Sequence, residues 1–422
     1  MRAKIFLLLV LSFLPTASSL KAEELLTWEQ CVSETKQAHP DLYSALALLQ
    51  QAEATKQITR GSLLPQLSST LSSLQNGTTG ATSLSALSYS LTAQQLLYDG
   101  HKTSNQVASN AEAIKAAQNN YSIVSANVRY ALRSAFAQLL LAQDLVGLTS
   151  EIADRRQKNV RLINLYYQGG REHIGSLHQA EADLAQAQFE VSQAKRGLVL
   201  TQTTLASALG RDISKPLKVQ GAFKATDLSV RKPDLQLLAK SNPLFLQLEA
   251  KSKGARFDLD ASKSAFSPQL YLTSSVGRGS FNRLPVDAVD WSAGFTVSVP
   301  IYQGGSGRAA VSKARAFLSQ QNAQEKSGYL QLVNALEQNW KNFQDARQLV
   351  VVQKKQLDAA VDRSAIANAE YSNGLLTFNE WVIIENNLVS AKKSYINAEA
   401  TMLIAEAQWI QAKGGGLDGE QE

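Results

Sequence analysis

Cysteine is almost absent from this sequence of 422 residues, and its scarcity excludes one class of exported protein. The single cysteine, Cys31, cannot form the disulfide framework of a small secreted domain. It also lies well beyond the N-terminal apolar segment, whereas a lipoprotein carries its lipid-bearing cysteine directly after that segment. We interpret Cys31 as a small packing residue in a helix, so stability must come from packing and from oligomerisation.

Proline is the second scarcity, and its absence marks two long stretches of the chain. None of the nine prolines lies between Pro65 and Pro216, and none follows Pro300. Within these stretches, residues 101–166 and 308–372 each contain a single interior glycine. Because proline and glycine are the strongest helix breakers, both ranges are predicted to be continuous helices. At 1.5 Å per residue, each would reach on the order of 100 Å.

Basic charge and long apolar runs are also scarce once the N-terminus is set aside. Arg2 and Lys4 precede an apolar run over residues 5–14 and then small residues, which predicts a secretory signal peptide over 1–22. Without Arg2, Lys4 and Lys21 the formal charge falls from +6 to +3, and no basic patch of the kind that binds nucleic acid remains. No later run approaches the roughly 18 apolar residues of a membrane helix, so any crossing would need strands closed into a barrel.

The chain contains an internal duplication. Five landmarks recur at an offset of 203 or 204 residues, which predicts one structural unit written twice. The pairs are His39-Pro40 with Asn242-Pro243, Pro65-Gln66-Leu67 with Pro268-Gln269-Leu270, Tyr98-Asp99-Gly100 with Tyr302-Gln303-Gly304, Tyr167 to Gly170 with Tyr371 to Gly374, and Glu181 with Glu385.

Each copy is predicted to contain the same order of elements. Thr27 and Gln30 fit a capping box, and a second helix should start near Pro40. The first copy, 23–210, should hold helices over 27–61, strands 63–75 and 84–98, a long helix 101–167 and a return helix 174–209. The second copy, 233–413, should hold a helix 234–265, strands 267–279 and 289–302, a long helix 307–372 and a return helix 376–412. A connector over 211–232 and a disordered tail over 414–422 complete the division.

The strand segments alternate between apolar and small polar residues. In the first copy Leu87, Tyr89 and Leu91 alternate with serine and threonine, and the second copy repeats the pattern from Trp291 to Ile301. Strands of about ten residues with this pattern are typical of a transmembrane barrel around a wet lumen, although a soluble sandwich would share it. Four strands are too few to close a barrel, so several chains would have to share one.

The first long helix keeps a seven-residue repeat of mostly small apolar residues. Its members are Val107, Ile114, Tyr121, Val128, Ala135 and Ala142. These residues form a narrow apolar seam along the helix, and polar residues interrupt it. It therefore suits helices packed side by side around a wet interior better than a leucine-rich two-stranded coil.

With these residues in place, the chain resembles the TolC family of outer-membrane efflux proteins over residues 26–413. The resemblance rests on the ordered landmarks, starting with Leu-Thr-Trp-Glu-Gln, and on their duplication. It implies a mainly α fold with a small β part, in which two β-hairpins per chain join a trimeric twelve-stranded barrel in outer-membrane lipid. Long helical hairpins would form an α-barrel across the periplasm. The homotrimer would be a passive conduit without catalysis or cofactor, served by an inner-membrane transporter and a periplasmic adaptor.

The resemblance also suggests which residues act at the far ends of the helical hairpins. The matching positions for adaptor contact are Tyr167, Gly170, Arg171, Tyr371, Gly374 and Leu375. The matching positions at the pore aperture are Ser176, Leu376, Glu380 and Ile383. Tyr371 matches the family's latch tyrosine. Ser176 and Leu376 replace its aspartate and arginine, so a charged latch is absent or built otherwise. Glu380 is the candidate for a ring of carboxylates, or else it is a solvated residue of a helix face.

Other functional classes find little support. His173 and His178 lie five apart, on different helix faces, and make no metal site. The glycine-rich segment 304–307 lacks the Gly-Lys-Ser/Thr ending of a phosphate loop. An enzyme is therefore not expected. A periplasmic coiled-coil scaffold or adaptor is the alternative, but it leaves the paired amphipathic strands unexplained. Small-molecule efflux and type I protein secretion stay open.

Overall fold

A computed structural model describes residues 24–77, 79–80, 84–212, 217–221, 223, 231–281 and 288–418. The predicted signal peptide, 1–22, lies outside these residues. The first half contains β1 (Glu24–Leu26), α1 (Trp28–Ala38), α2 (Pro40–Gly61), β2 (Gln66–Asn76), β3 (Leu84–Tyr98), α3 (Lys102–Gln168), α4 (Ile174–Leu209) and β4 (Leu217–Val219). The second half contains α5 (Leu235–Ser241), α6 (Pro243–Ser264), β5 (Gln269–Phe281), β6 (Asp290–Ser298), α7 (Ser306–Ser372) and α8 (Phe378–Ala412).

The two halves have matching helices. The long helices α3 and α7 contain 67 residues each, and α2 and α6 contain 22 each. The return helices α4 and α8 have 36 and 35 residues. The capping box predicted at Thr27 and Gln30 is confirmed, since each residue's side chain accepts a hydrogen bond from the other's backbone N–H. A local sequence rule therefore sets the start of α1.

The helix predicted over 234–265 is in fact two helices. Asn242 is extended, with ψ of 135°, and its side chain accepts a hydrogen bond from the N–H of Leu244 at 2.9 Å. Pro243 begins α6, because a proline has no N–H to continue α5 and constrains the residue before it to an extended conformation. His39 and Pro40 make the same break between α1 and α2 in the first half.

One antiparallel sheet of four strands carries the alternating segments, in the order β2-β3-β5-β6. The register places Leu71, Tyr89, Val276 and Trp291 on one face and most of the serines and threonines on the other. The last strand ends at Ser298 rather than at residue 302 as predicted. Pro300 cannot donate to a neighbouring strand, so pairing stops before it. Both β2 and β6 are edge strands.

Glycines form the joints between the strands and the long helices. Gly100 has a φ of +66°, and a Cβ at this position would lie 2.2 Å from the side chain of Ser267. The equivalent Gly304 has a φ of +61°. Only glycine adopts this backbone without strain, so the strand can turn directly into the helix.

Separate cores lie along the helices. The first half buries Phe136, Leu139 and Leu205, together with residues of α1, β1 and β4. The second half buries Trp340, Phe343 and Trp409, which come at matching positions 204 residues later. The duplication therefore repeats the position of a core and changes the side chains that fill it.

The described parts of the connector and of the tail pack against the rest of the chain. The connector supplies β4, which pairs in parallel with β1. The tail predicted to be disordered over 414–422 packs in place as far as the structure describes it. Leu417 is 1% exposed in the first core, and its N–H donates to Ser125 Oγ at 3.0 Å. Burial of this apolar side chain outweighs the glycine-rich composition of the tail.

Within the described part of the chain, no helix combines the length and the hydropathy needed to cross a bilayer.

Candidate functional site

Two turns at the far ends of the long helices form the candidate site. We call residues 166–177 the first tip and 370–381 the second tip. Arg171 N–H donates to Tyr166 O at 2.8 Å, and Leu375 N–H donates to Glu370 O at 2.9 Å. Gly170 and Gly374 have φ values of +67° and +77°. The tips therefore share one backbone turn, which ends each long helix at a left-handed glycine.

Most of the residues predicted to contact an adaptor lie at the surface of these turns. Tyr167 is 40% exposed and Leu375 is 77% exposed. Arg171 is exposed, and its guanidinium lies over the ring of Tyr166, 5.2 Å from the centroid. Gly170 has open space around its Cα. These four positions are thus accessible to another protein.

Tyr371 differs from this group because it is buried. It is 4% exposed, and its ring stacks on Trp381 with 4.6 Å between centroids and 7° between planes. Its hydroxyl donates to Glu172 Oε1 of the first tip at 3.0 Å. Burial raises the pKa of Tyr371, and the adjacent Glu172 carboxylate raises it further. The hydroxyl therefore stays a donor well above neutral pH.

Glu172 is the partner of Tyr371 across the tips, and the sequence did not identify it. Alignment to the family's latch pointed to Ser176 as the position facing Tyr371, but the contact is made four residues earlier. Glu172 is the only acidic residue between Tyr167 and His178. That scarcity is a signal that could have identified it, because a buried tyrosine needs a nearby acceptor.

The four positions predicted to line the aperture divide into two pairs. Ser176 is 1% exposed and Leu376 is half-buried against the tip core, so both lie inside the protomer. Ile383 is 59% exposed, and Glu380 is exposed on α8. Ile383 and Glu380 are therefore accessible and can line a duct.

Glu380 also has a local role. Its carboxylate accepts from Thr377 Oγ1 at 2.8 Å and from Thr377 N–H at 3.2 Å, and its own N–H donates to Thr377 Oγ1 at 3.3 Å. These hydrogen bonds lower the pKa of Glu380, and the bond from the Thr377 hydroxyl has the largest effect. The residue therefore completes a capping box at the start of α8 and stays ionised at neutral pH.

The histidine of the first tip has a similar structural role. His173 Nδ1 accepts from Ser176 N–H at 3.3 Å and caps α4. Over the residues that the structure describes, no group of three histidine, cysteine, aspartate or glutamate side chains is placed to hold a metal ion.

The chain is similar to several outer-membrane proteins in sequence. It is 22% identical to the outer membrane efflux protein BepC of Brucella suis over 76% of this chain and 70% of that protein. It is 23% identical to the toluene efflux pump outer membrane protein TtgC of Pseudomonas putida over 65% of this chain and 57% of that protein. The match therefore spans less than two thirds of the length of the toluene pump protein.

Solved structures show the same fold. The channel protein CusC superposes with a TM-score of 0.84 at 18% identity, over 92% of both chains. The Campylobacter jejuni CmeC outer membrane channel gives 0.81 at 17% identity, over 93% of this chain and 87% of that one. These likenesses confirm the predicted fold class, mainly helical with a small β part. They compare single chains, so the trimer stays a prediction.

The duplication inferred from the landmarks recurs in the family comparison. The model of the outer membrane efflux protein family matches residues 31–211 and then matches again over residues 235–415. The two matches begin and end 204 residues apart, which is the spacing of the tips and of the long helices. The chain therefore belongs to the outer membrane efflux protein family.

Proposed function

We propose that three copies of this chain form a passive exit duct, which crosses the outer membrane and the periplasm and receives its cargo from an inner-membrane transporter. The observation that carries this proposal is the sheet with two open edges. Edge strands expose a row of unpaired backbone groups, and closure into a barrel removes them. Pairing of β6 with β2 of the next copy would give twelve strands from three chains.

The strands have the length and the surface of a membrane barrel. Tyr89 and Tyr98 belong to the apolar face of β3, and Tyr98 and Trp291 are 47% and 78% exposed on that face. Nine residues at about 3.4 Å each, tilted by about 40°, give roughly 23 Å along the membrane normal. That value is close to the roughly 25 Å band of outer-membrane barrels, whose edges carry aromatic residues. The serine and threonine face would line the lumen.

The tips would lie at the opposite end of the duct and meet the adaptor. Each long helix of 67 residues reaches on the order of 100 Å, so a barrel in the membrane leaves the tips deep in the periplasm. The exposed Tyr167, Arg171 and Leu375 supply an aromatic, a cationic and an apolar contact beside the left-handed glycines. We propose these turns as the docking surface for an adaptor protein.

The contact of Tyr371 with Glu172 would serve as the latch of the closed aperture. It joins the two tips of one protomer and occupies the role that the family assigns to a tyrosine and an aspartate. Glu380, being exposed and ionised, would contribute one carboxylate per copy to a ring of three that attracts cations. No catalytic or cofactor role is proposed.

Small-molecule efflux is the proposed activity of the duct. Relatives are named for toluene, solvent and antibiotic efflux pumps and for pyoverdine export. Their shared cargo class is a small organic molecule rather than a folded protein. The duct of a protein secretion system would be chemically similar to that of an efflux pump. The transporter, and not the duct, would therefore select the cargo.

Electrophoresis in detergent combined with planar bilayer recording tests the proposal. The native protein should migrate as a trimer before boiling and as a monomer afterwards, and it should form channels in a bilayer. Extraction without detergent, monomeric migration and no channel activity would instead support a periplasmic scaffold.

A further inference from the structure

A buried charged cluster joins three helices on the membrane side of the tips. Glu385 of α8 is 1% exposed. Its carboxylate accepts from Nε and Nη2 of Arg155 in α3, at 2.6 and 2.7 Å. Ser364 of α7 donates to the same carboxylate at 2.7 Å and accepts from Arg155 Nη2 at 2.7 Å. Each of the three side chains therefore bonds to the other two.

The cluster continues towards the second tip. Asn368 Nδ2 lies 3.4 Å from both Ser364 Oγ and Glu385 Oε1, and Asn368 Oδ1 accepts from Trp381 Nε1 at 2.8 Å. Trp381 is 2% exposed and stacks on Tyr371, whose hydroxyl bonds to the first tip. An unbroken series of contacts thus links the buried ion pair to the proposed latch.

The duplication offers a natural comparison, because the matching positions in the described part of the chain do not repeat the cluster. At the offset of 204, Arg155 corresponds to Ala359, and Glu385 corresponds to Glu181. Ala359 has no side-chain donor, and Glu181 is exposed on α4. Both halves nevertheless form the same long hairpin and the same turn. The ion pair is therefore not needed to build the hairpin.

We propose that Arg155 and Glu385 are positioning residues that hold Trp381 and Tyr371 in place and so set the resting position of the second tip. The inference rests on the proposed function, in which the contact between Tyr371 and Glu172 keeps the aperture closed. Bidentate bonds between a guanidinium and a carboxylate are strong and directional, so α8 cannot shift against α3 without breaking several bonds together. Asn368 and the ring stack carry this constraint to the tip.

The test uses the full-length protein in planar bilayers. Glu385→Gln keeps the shape of the side chain and removes its charge. The open probability should rise by at least about twofold. A change of this size corresponds to the weakest interaction energies between residues of one hydrogen-bond network. Tyr371→Phe should have a similar effect. The double variant should not exceed the larger single effect, because both changes release the same contact.

Two further variants separate positioning from packing. Asn368→Ala leaves the ion pair intact and cuts the connection to Trp381, so it should raise the open probability as Glu385→Gln does. Glu181→Gln, at the matching position of the first half, should leave the open probability unchanged. The thermal midpoint of each variant is measured alongside, so that loss of stability is read separately from gating.

The outcomes are distinct. Additive effects of Glu385→Gln and Tyr371→Phe would overturn the proposed connection, and so would wild-type gating in Asn368→Ala. A Glu385→Gln protein with a lower thermal midpoint and wild-type open probability would show a packing role alone. Wild-type protein that forms no channels would overturn the proposed function itself, whereas wild-type channels with unchanged variants would overturn only the positioning role.

Discussion

The two tips have one backbone and two different sets of side chains. Each tip ends a helix of 67 residues at a left-handed glycine with matching hydrogen bonds. Tyr167 in the first tip is 40% exposed, whereas Tyr371, its equivalent, is 4% exposed and bonded across to the other tip. The difference teaches that the duplicated turn sets the backbone of both tips, whereas the side chains decide which tip tyrosine is buried.

The largest expected effect comes from the aromatic core that distinguishes the second half. Trp340 is 7% exposed and lies 5.2 Å, centroid to centroid, from Trp409. Trp340→Ala should destabilise the protein by about 3–5 kcal/mol, because a large buried ring leaves a cavity. Thermal unfolding in detergent measures the loss. Leu349→Ala, at an exposed position of the same helix, is the control and should unfold near the wild-type midpoint.

The second prediction concerns the tail, which crosses from the second half into the core of the first. Leu417→Ala removes a side chain that is 1% exposed and should cost about 2–3 kcal/mol of stability. Asp418→Ala breaks only the exposed ion pair with Lys36 and should cost less than about 1 kcal/mol. Equal midpoints for the two variants would show that the tail does not anchor in that core.

The third prediction compares the equivalent tyrosines of the tips directly. Tyr371→Phe removes the hydrogen bond to Glu172 and keeps the stack on Trp381, so the channel should open more often. Tyr167→Phe should leave gating unchanged because its side chain is exposed. Single-channel recording distinguishes the two. A larger effect from Tyr167→Phe would show that the first tip, and not the second, controls channel opening.

The fourth prediction uses the ionisation of the buried tyrosine. The pKa of Tyr371 is raised above its unfolded value, so its contribution to stability is fully present below about pH 10, the ordinary value, and is lost as the pH rises through the folded pKa. Ultraviolet titration should show two tyrosines per chain that ionise late, because the pKa of Tyr395 is also raised, to about 12, first by its hydrogen bond with Glu399. One of the two late steps should vanish in Tyr371→Phe, and both should persist in Tyr167→Phe.

The smallest effect should come from the exposed carboxylate of the second tip. Glu380→Ala should weaken the cation preference of the channel, because the proposed ring of three carboxylates is lost. Ser176→Ala, at the matching position of the first tip, should leave that preference unchanged. Reversal potentials in a salt gradient measure both. Equal selectivity in all three proteins would exclude Glu380 from the pore.

Much of the fold could be predicted because its signals are local. The absence of proline marks the long helices, the glycines mark the tips, and Thr27 with Gln30 marks the first capping box. The helix predicted over 234–265 is wrong at Pro243, because a proline has no N–H to continue the preceding helix. The end of β6 at Ser298 was missed for the same reason, since Pro300 follows it.

The candidate site was predicted less completely because its contacts are long-range. Tyr371 was identified, but Glu172 lies 199 residues away in sequence and was not. The partners Arg155 and Glu385 are separated by 230 residues, and no periodic pattern connects them. Only the packing of α3 against α8 brings them together.

The sequence by itself determined the duplication, the lengths of the long helices, the alternating strands and the glycine turns, since each depends on residues close together in the chain. The tertiary structure alone decided which tip tyrosine is buried, which carboxylate faces Tyr371 and where Leu417 is buried. The physical reason is that hydrogen bonds and burial between distant segments depend on how the helices pack, and a one-dimensional pattern does not contain that information.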